Sequence, residues 1–397
     1  MPWKETCPVD ERVRFVAEWM KGERTMVELA RAFNVSRKTA YKWLERYDGS
    51  GPKGLVDASR RPTTSPFATS PAVVEVIIAV KKARPSWGPR KIRDWLRKNR
   101  KDVITPAAST IGGILGRRGL VTRRARRRYP NGHPRAQPFG DAVAPNDLWC
   151  ADFKGHFRVG RFTCYPLTIG DAVSRFLLRA EGLTKPRTAP VKKIFQSAFR
   201  QYGLPTAIRT DNGPPFASRG PGGMTKLSAW WVTLGIRVER IKPGNPQENG
   251  RLERLHRTLK LETASPPRSD LVAQQESFDE FRRVYNEERP HEALGGSTPS
   301  EVFEASARSY DPEMDFRDIE YPEGVEVRRV GKNGRAEFEG RQIFVGRALA
   351  HQLIGLKHLR AGIWSLEFGP IQLGSVDLRQ RGKSRKRIVK VSPMSPV

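Results

Sequence analysis

Asn249-Gly250-Arg251-Leu252-Glu253-Arg254-Leu255-His256-Arg257-Thr258-Leu259-Lys260 follows a Pro/Gly-rich stretch, Lys242-Pro243-Gly244-Asn245-Pro246-Gln247. It reads as the opening of a helix with Asn249 as its N-cap. Leu252, Leu255 and Leu259 recur at helical spacing and form one apolar stripe. Glu253, Arg257 and Lys260 stand at i, i+4 and i+7 on another face. In isolation this is a solvated ladder of charges on an amphipathic helix. The residues upstream give it a different meaning.

Leu148-Trp149-Cys150-Ala151-Asp152-Phe153-Lys154-Gly155-His156-Phe157 predicts a strand over 147–158. A second strand is expected over Phe162–Ile169, after a Gly160-Arg161 turn, and a third over Arg175–Glu181. Three strands in a row suggest an antiparallel meander. A helix follows over Thr188–Tyr202, ended by Gly203-Leu204-Pro205. Then come a short strand, Ala207–Thr210, closing on Asp211-Asn212-Gly213, a helix over Lys226–Leu234, a strand over Ile236–Ile241, and the helix quoted above. The order β-β-β-α-β-α-β-α describes a mixed sheet with helices on both faces. Asp is depleted inside strands, yet Asp152 stands among Trp149, Cys150 and Phe153. Asp211 ends a strand, where α/β folds place ligands, and Glu253 lies on a helix able to pack beside both. Three such carboxylates can hold two divalent cations about 3.5–4 Å apart, an arrangement suited to phosphoryl transfer. Without a cation they would repel one another.

Trp149-x-x-Asp152, Thr210-Asp211-Asn212-Gly213 and Pro243-Gly244-Asn245-Pro246-Gln247-x-Asn249-Gly250-x-x-Glu253-Arg254-x-His256-x-Thr258-x-Lys260 together resemble the DDE catalytic core of bacterial insertion-sequence transposases and retroviral integrases. Tyr285-Asn286-Glu287-Glu288-Arg289-Pro290-His291-Glu292-Ala293-Leu294 and Thr298-Pro299 resemble the segment that closes that core. The resemblance spans roughly Asp147 to Phe303. It implies a ribonuclease-H-like fold, dependence on Mg²⁺ (or Mn²⁺), two ions per site on Asp152, Asp211 and Glu253, and cleavage and joining of DNA at transposon ends. It further implies a homo-oligomer that pairs two element ends. Forty-one residues separate Asp211 from Glu253, more than is usual in the family, whereas Glu248 would leave thirty-six. Glu253 is preferred because it follows Asn249-Gly250 by the expected offset and precedes Arg254 and His256. The surplus is assigned to a loop insertion at Arg219-Gly220-Pro221-Gly222-Gly223-Met224, which a loop accommodates at small entropic cost. Arg254, Arg257 and Lys260 are the expected phosphate contacts near the scissile bond, though surface charge alone would also account for them. His256 fits either an approach to substrate or a structural place, and the loop Lys242 to Glu248 is expected to move over DNA.

The flanks agree with a DNA-handling protein. Asp10–Lys21, Met26–Phe33 and Ser36–Tyr47 read as helices, with a tight turn at Asn34-Val35 and Ser36 as cap. This is the pattern of a helix-turn-helix whose second helix offers Arg37, Lys38, Thr39 and Lys42 to the major groove. After a linker from Asp48 to Pro71, a second helical module is expected over Ala72–Ala83, Trp87–Arg97 and Ser109–Leu120, with Ser109 as cap and Arg117 and Arg118 facing DNA. Arg123, Arg124, Arg126, Arg127 and Arg128 form a dense basic run suited to phosphates. Short strand-like runs at Val325–Val330, Arg335–Phe338, Arg341–Val345, Leu353–His358 and Gly362–Phe368 suggest a small β-barrel, SH3-like by the resemblance. The expected organisation is therefore multidomain α + α/β: helix-turn-helix, 8–48; second DNA-binding module, 72–122; basic Pro-rich linker, 123–146; ribonuclease-H-like mixed-sheet core, 147–303; barrel, 322–378; and basic tail, 379–397.

The totals are consistent with this division. In 397 residues, 72 Lys and Arg stand against 42 Asp and Glu, a net charge of +30 that calls for a polyanionic partner, here double-stranded DNA. No apolar run approaches the roughly 20 residues needed to span a bilayer, and no signal-peptide core opens the chain, so a bacterial cytoplasmic, nucleoid-associated protein is expected. Cys7, Cys150 and Cys164 make neither a disulfide framework nor a zinc motif. Any metal would be an oxygen-loving ion held by carboxylates. The alternative to a transposase is a non-catalytic, sequence-specific DNA-binding regulator built on the same scaffold.

Overall fold

The computed structural model describes residues 7–59, 68–121, 142–241, 250–379 and 388–392. The chain divides into two compact units, Met1–Ala68 and Thr69–Val397.

The first unit is built from α1 (Pro8–Met20), α2 (Met26–Ala32) and α3 (Arg37–Ser50) around Phe15, Val16, Leu29, Ala40 and Leu44. Thr25 and Glu28 close a capping box on α2, and Asn34, in the left-handed region at φ 52°, makes the tight turn. The Ser36 hydroxyl accepts from the Thr39 amide at 3.1 Å, capping α3. The linker expected from Asp48 begins later. A 3₁₀ turn, Gly51–Leu55, folds back so that Leu55 is 1% exposed, and Arg12 Nη1 donates to its carbonyl at 2.8 Å. One leucine in a Gly/Pro context is enough to complete the small core.

The second unit opens with α4 (Pro71–Ala83), α5 (Pro89–Asn99) and α6 (Ala108–Arg117), packed around Ile77, Trp87, Ile92, Leu96, Ile111 and Leu115. Ser109 is not the cap of α6. That helix starts at Ala108, with Ala107 at the N-cap position and no side-chain cap. The basic face of α5 is engaged: Arg90 pairs with Glu292 and Lys98 with Glu301, while Lys91 donates to the Pro290 carbonyl at 2.6 Å. Arg84, just past α4, pairs with Glu288 at 2.6 Å.

The central sheet contains β1 (Leu148–Phe153), β2 (Phe157–Val159), β3 (Phe162–Asp171), β4 (Leu177–Leu183), β5 (Ala207–Thr210) and β6 (Arg237–Arg240). Its order is β2-β3-β1-β5-β6, with β4 also on β3. The first four strands pair antiparallel, whereas β1, β5 and β6 run parallel. The period-two alternation of β1 sends Trp149 and Ala151 into one core and Leu148 and Cys150 into the other. The first core is covered by α7 (Thr188–Tyr202) and α8 (Lys226–Thr233), through Phe195, Phe199, Trp230 and Trp231. The second is covered by α9 (Gly250–Thr263) and α10 (Leu271–Arg283), through Leu252, Leu255, Leu259, Phe278 and Phe281. A π-helical turn, Val284–Glu288, and α11 (Pro299–Val302) close the layer.

The C-terminal segment contributes β7 (Glu326–Arg329), β8 (Arg335–Phe338), β9 (Arg341–Phe344), β10 (Leu353–Arg360), β11 (Ile363–Phe368), β12 (Ile371–Asp377) and β13 (Ile388–Lys390). Among the described residues these pair as two sheets, β12-β11-β10-β7 and β13-β9-β8, rather than as one closed ladder. Their core, with Phe338, Ile354, Leu366 and Phe368, includes Met224, Ala229 and Val232 from in and around α8. The surplus residues between Asp211 and Glu253 therefore do not form a free loop. Pro221–Gly223 makes a 3₁₀ turn, and Arg240 Nη2 donates to the Gly222 and Gly223 carbonyls at 3.1 and 2.7 Å. Gly222 lies so close to Leu373 that an added Cβ would stand 2.9 Å from that side chain.

Candidate active site

The site is set by the register of two parallel strands. Ala151 on β1 is opposite Thr210 on β5, so Asp152 and Asp211 are neighbours at the carboxyl ends of adjacent strands. Burial raises the Asp152 carboxyl to about 6, and the negative charges of Asp211 and Glu253 add to that rise. Asp211 is also raised, by burial, and its Oδ1 is buried without a hydrogen-bond partner. Beside it, Asn212 Nδ2 donates to the Ile241 carbonyl at 2.8 Å, tying the end of β5 to the end of β6.

Glu253 stands in the first turn of α9 and is exposed. The Leu252, Leu255 and Leu259 stripe turns that helix onto the sheet, and His256 enters with it, 4% exposed. Thr168 Oγ1 and His256 Nε2 share a 2.7 Å hydrogen bond, and His256 Nδ1 lies 3.8 Å from Asp152 Oδ2. Burial, then the nearby Lys154, lowers the ring to about 4, so it is neutral. The structure therefore gives His256 a place in the wall behind Asp152. The register of β1 on β3, which sets Asp152 opposite Thr168, supports the same wall.

Asp152 is thus the neighbour of Asp211 across the strands and lies within electrostatic reach of both Asp211 and Glu253. Among the described residues, no three His, Cys, Asp or Glu side chains are gathered closely enough to hold an ion. The donor chemistry nonetheless suits a hard divalent cation: all the ligand atoms on offer are carboxylate oxygens, one of them buried and unpartnered, and their mutual repulsion is what a cation would relieve.

Arg254, Arg257 and Lys260 are exposed along α9, and Lys260 lines a cavity of about 220 Å³ with Lys154. In the first unit, Arg37, Lys38 and Lys42 are exposed, while Thr39 is half-buried, its hydroxyl 2.8 Å from that of Ser36. Arg117 and Arg118 are exposed at the C-terminal end of α6. The basic run Arg123, Arg124, Arg126, Arg127 and Arg128, the loop with Glu248 and Asn249, and most of the C-terminal tail lie outside the described residues. Sequence reasoning missed Thr168 and Lys154 as neighbours of the acids. It also missed the cations Lys91 and Arg175, which meet across the second unit. The basic content of α5 was the only signal for Lys91.

An integrase core domain matches residues 142–246, and a second integrase core family matches 234–299. A helix-turn-helix domain matches residues 11–63 and a homeodomain-like domain 39–115. The chain is 27% identical over 202 residues to an uncharacterized 31.7 kDa protein of insertion element IS407 from Burkholderia multivorans, covering 51% of this chain and 70% of that one. It is 25% identical over 295 residues to an uncharacterized 39.2 kDa protein of insertion element IS476 from Xanthomonas euvesicatoria, covering 73% and 81%. Among solved structures it resembles the HTLV-2 integrase catalytic core domain in complex with magnesium, at 18% identity and a TM-score of 0.30 over 40% of this chain and 97% of that one. No described helix is long and apolar enough to cross a membrane. The chain thus carries segments that match helix-turn-helix domains and an integrase core, and it is similar to proteins of insertion elements.

Proposed function

We propose that the chain is a DDE transposase, which binds the ends of its element and catalyses divalent-metal-dependent cleavage and transfer of DNA strands. The observation that carries this reading is the pairing of Asp152 and Asp211 at the ends of adjacent parallel strands, with Asp211 Oδ1 buried and unpartnered. Asp152, Asp211 and Glu253 would hold Mg²⁺ or Mn²⁺, two per site, supplying activation of the attacking oxygen and stabilisation of the leaving one. The strands fix the two aspartates, and α9 brings Glu253 with its own basic neighbours. Arg254, Arg257 and Lys260 would lie along the phosphate backbone beside the scissile bond. Arg37, Lys38, Thr39 and Lys42 on α3, Arg117 and Arg118 after α6, and the arginines of 123–128 would hold the element ends. Two copies of the chain would bring two ends together.

The test uses the purified full chain and duplexes carrying the element's terminal inverted repeats. With Mg²⁺ or Mn²⁺ the wild type nicks or joins these ends. Asp152→Asn loses that activity and keeps end binding. Wild-type protein that binds the ends yet cuts them with neither metal would instead be the regulator. Glu253→Gln compared with Glu248→Gln decides the third carboxylate: activity surviving the first and lost in the second would move the assignment to Glu248.

A further inference from the structure

The second unit gathers cations at a place the acids above do not explain. Lys91 on α5, Arg175 between β3 and β4, and Arg289 and His291 after the π-helical turn come within electrostatic reach of one another. Among the described residues neither Lys91 nor Arg175 has a carboxylate partner, and the only hydrogen bond of the Lys91 ammonium goes to the Pro290 carbonyl, at 2.6 Å. The acids that reach Lys91, Glu292 and Asp94, are themselves paired with Arg90 and Arg93. Arg289 pairs with Glu262 at 2.9 Å. His291 is 8% exposed; its ring packs 4.8 Å from that of Tyr285, and its Nε2 is buried with no partner. Asp171 braces the turn that carries Arg175: its Oδ2 accepts from the Ser174 amide at 2.7 Å and from the Ser174 hydroxyl at 2.6 Å.

Desolvated like charges repel one another, and an anion seated among them offsets that cost. Burial lowers Lys91 to about 8 and His291 to about 3, and both feel Arg289 and Arg175 as further repulsion. An anion seated there would relieve the three cations and allow the imidazole to take a proton from solvent. Arg and Lys together are the usual grip on a phosphate. Arg175 also feels Arg254, the residue after Glu253, so the cluster borders the site already described.

We propose that Lys91, Arg175, Arg289 and His291 form a phosphate site, and that its occupant is a backbone phosphate of duplex DNA next to the bond being cut. That the phosphate is DNA's rests on the DNA-binding reading above; the need for an anion does not.

The test uses the full chain without divalent metal, so that failure of the catalytic reading cannot be mistaken for failure of this one. Thermal melts are compared in sodium chloride and in inorganic phosphate at matched ionic strength. Phosphate is expected to raise the wild-type melting temperature by a few degrees. Arg175→Gln loses that rise yet melts in chloride no lower than wild type, because repulsion has been removed; Arg175→Lys restores the rise. Lys91→Gln gives the same loss and serves if Arg175→Gln does not fold. In parallel, the slope of log K against log salt for duplex binding falls by roughly 0.9 for each backbone phosphate that a variant no longer neutralises. The proposal is overturned if wild type gains nothing from phosphate over chloride, or if both Arg175→Gln and Lys91→Gln keep the gain. A lost gain with an unchanged salt slope assigns the site to free phosphate and refutes the DNA occupant.

Discussion

Asn286 acts as if it were a residue of a neighbouring strand. The π-helical turn Val284–Glu288 places it so that its Oδ1 accepts from the Leu177 amide at 2.8 Å, while its Nδ2 donates to the Leu177 carbonyl at 3.0 Å. Leu177 is fully buried and Asn286 is 3% exposed, so water is not available to replace either bond. Asn286→Ala leaves two backbone groups unsatisfied, each costing about 1–3 kcal/mol, and so destabilises the second unit by about 2–6 kcal/mol. Denaturant melts followed by tryptophan fluorescence measure the total, and hydrogen exchange at the Leu177 amide localises it. Asn286→Asp keeps the acceptor but turns a second oxygen toward the Leu177 carbonyl. Its carboxyl is therefore raised on folding, and stability relative to wild type recovers as pH falls through that raised value, where the protonated acid can donate. A loss below about 1 kcal/mol for Asn286→Ala, with unchanged exchange at Leu177, would refute the view that a side chain completes the ladder here.

Three further outcomes follow from the same contacts. Burial lowers Lys91 from 10.5 to about 8, so the folded state binds less proton than the unfolded one between those values; in chloride the second unit gains stability as pH rises through that window, and Lys91→Met removes the gain. Burial pulls Asp315 up, but hydrogen bonds from Trp230, Lys192 and Tyr310 outweigh it and hold the carboxyl below its ordinary value; the stability this gives is present above 3.8 and lost as pH falls through the folded value, and Asp315→Asn flattens that acid limb in melts. Arg240→Ala frees the Gly222 and Gly223 carbonyls, and limited proteolysis then cuts within 219–224 faster than in wild type.

The parts of the fold legible in the sequence were those with a local signature. Leu252, Leu255 and Leu259 announced the face of α9, Ser36 announced the start of α3, and an aspartate inside a run of strand-forming residues singled out Asp152. What stayed hidden depends on partners far away in the chain. The basic residues of α5 were read only as part of a helix, because their acids lie some two hundred positions later, at Glu292 and Glu301. His256 had two readings until Thr168, 88 residues away, claimed its Nε2. The 3₁₀ turn at Gly51–Leu55 and the docked turn at Pro221–Gly223 both looked like slack, because Gly and Pro signal a turn without saying what the turn rests on. β12, which forms the edge of the β12-β11-β10-β7 sheet, had no counterpart among the expected strands.

The shared core of α8 and the C-terminal sheets sets a rule for anyone who shortens this protein. Met224, Ala229 and Val232 sit between 3% and 6% exposed because Phe338, Leu366, Phe368 and Leu373 cover them. A fragment trimmed at the end of the integrase-like segment would carry that patch bare into water and would stick to its own copies before any chemistry could be assayed. The useful shortened form keeps residues through 392, so that β13 stays on β9, and trims from the other end, where the division at Ala68 separates two units with cores of their own.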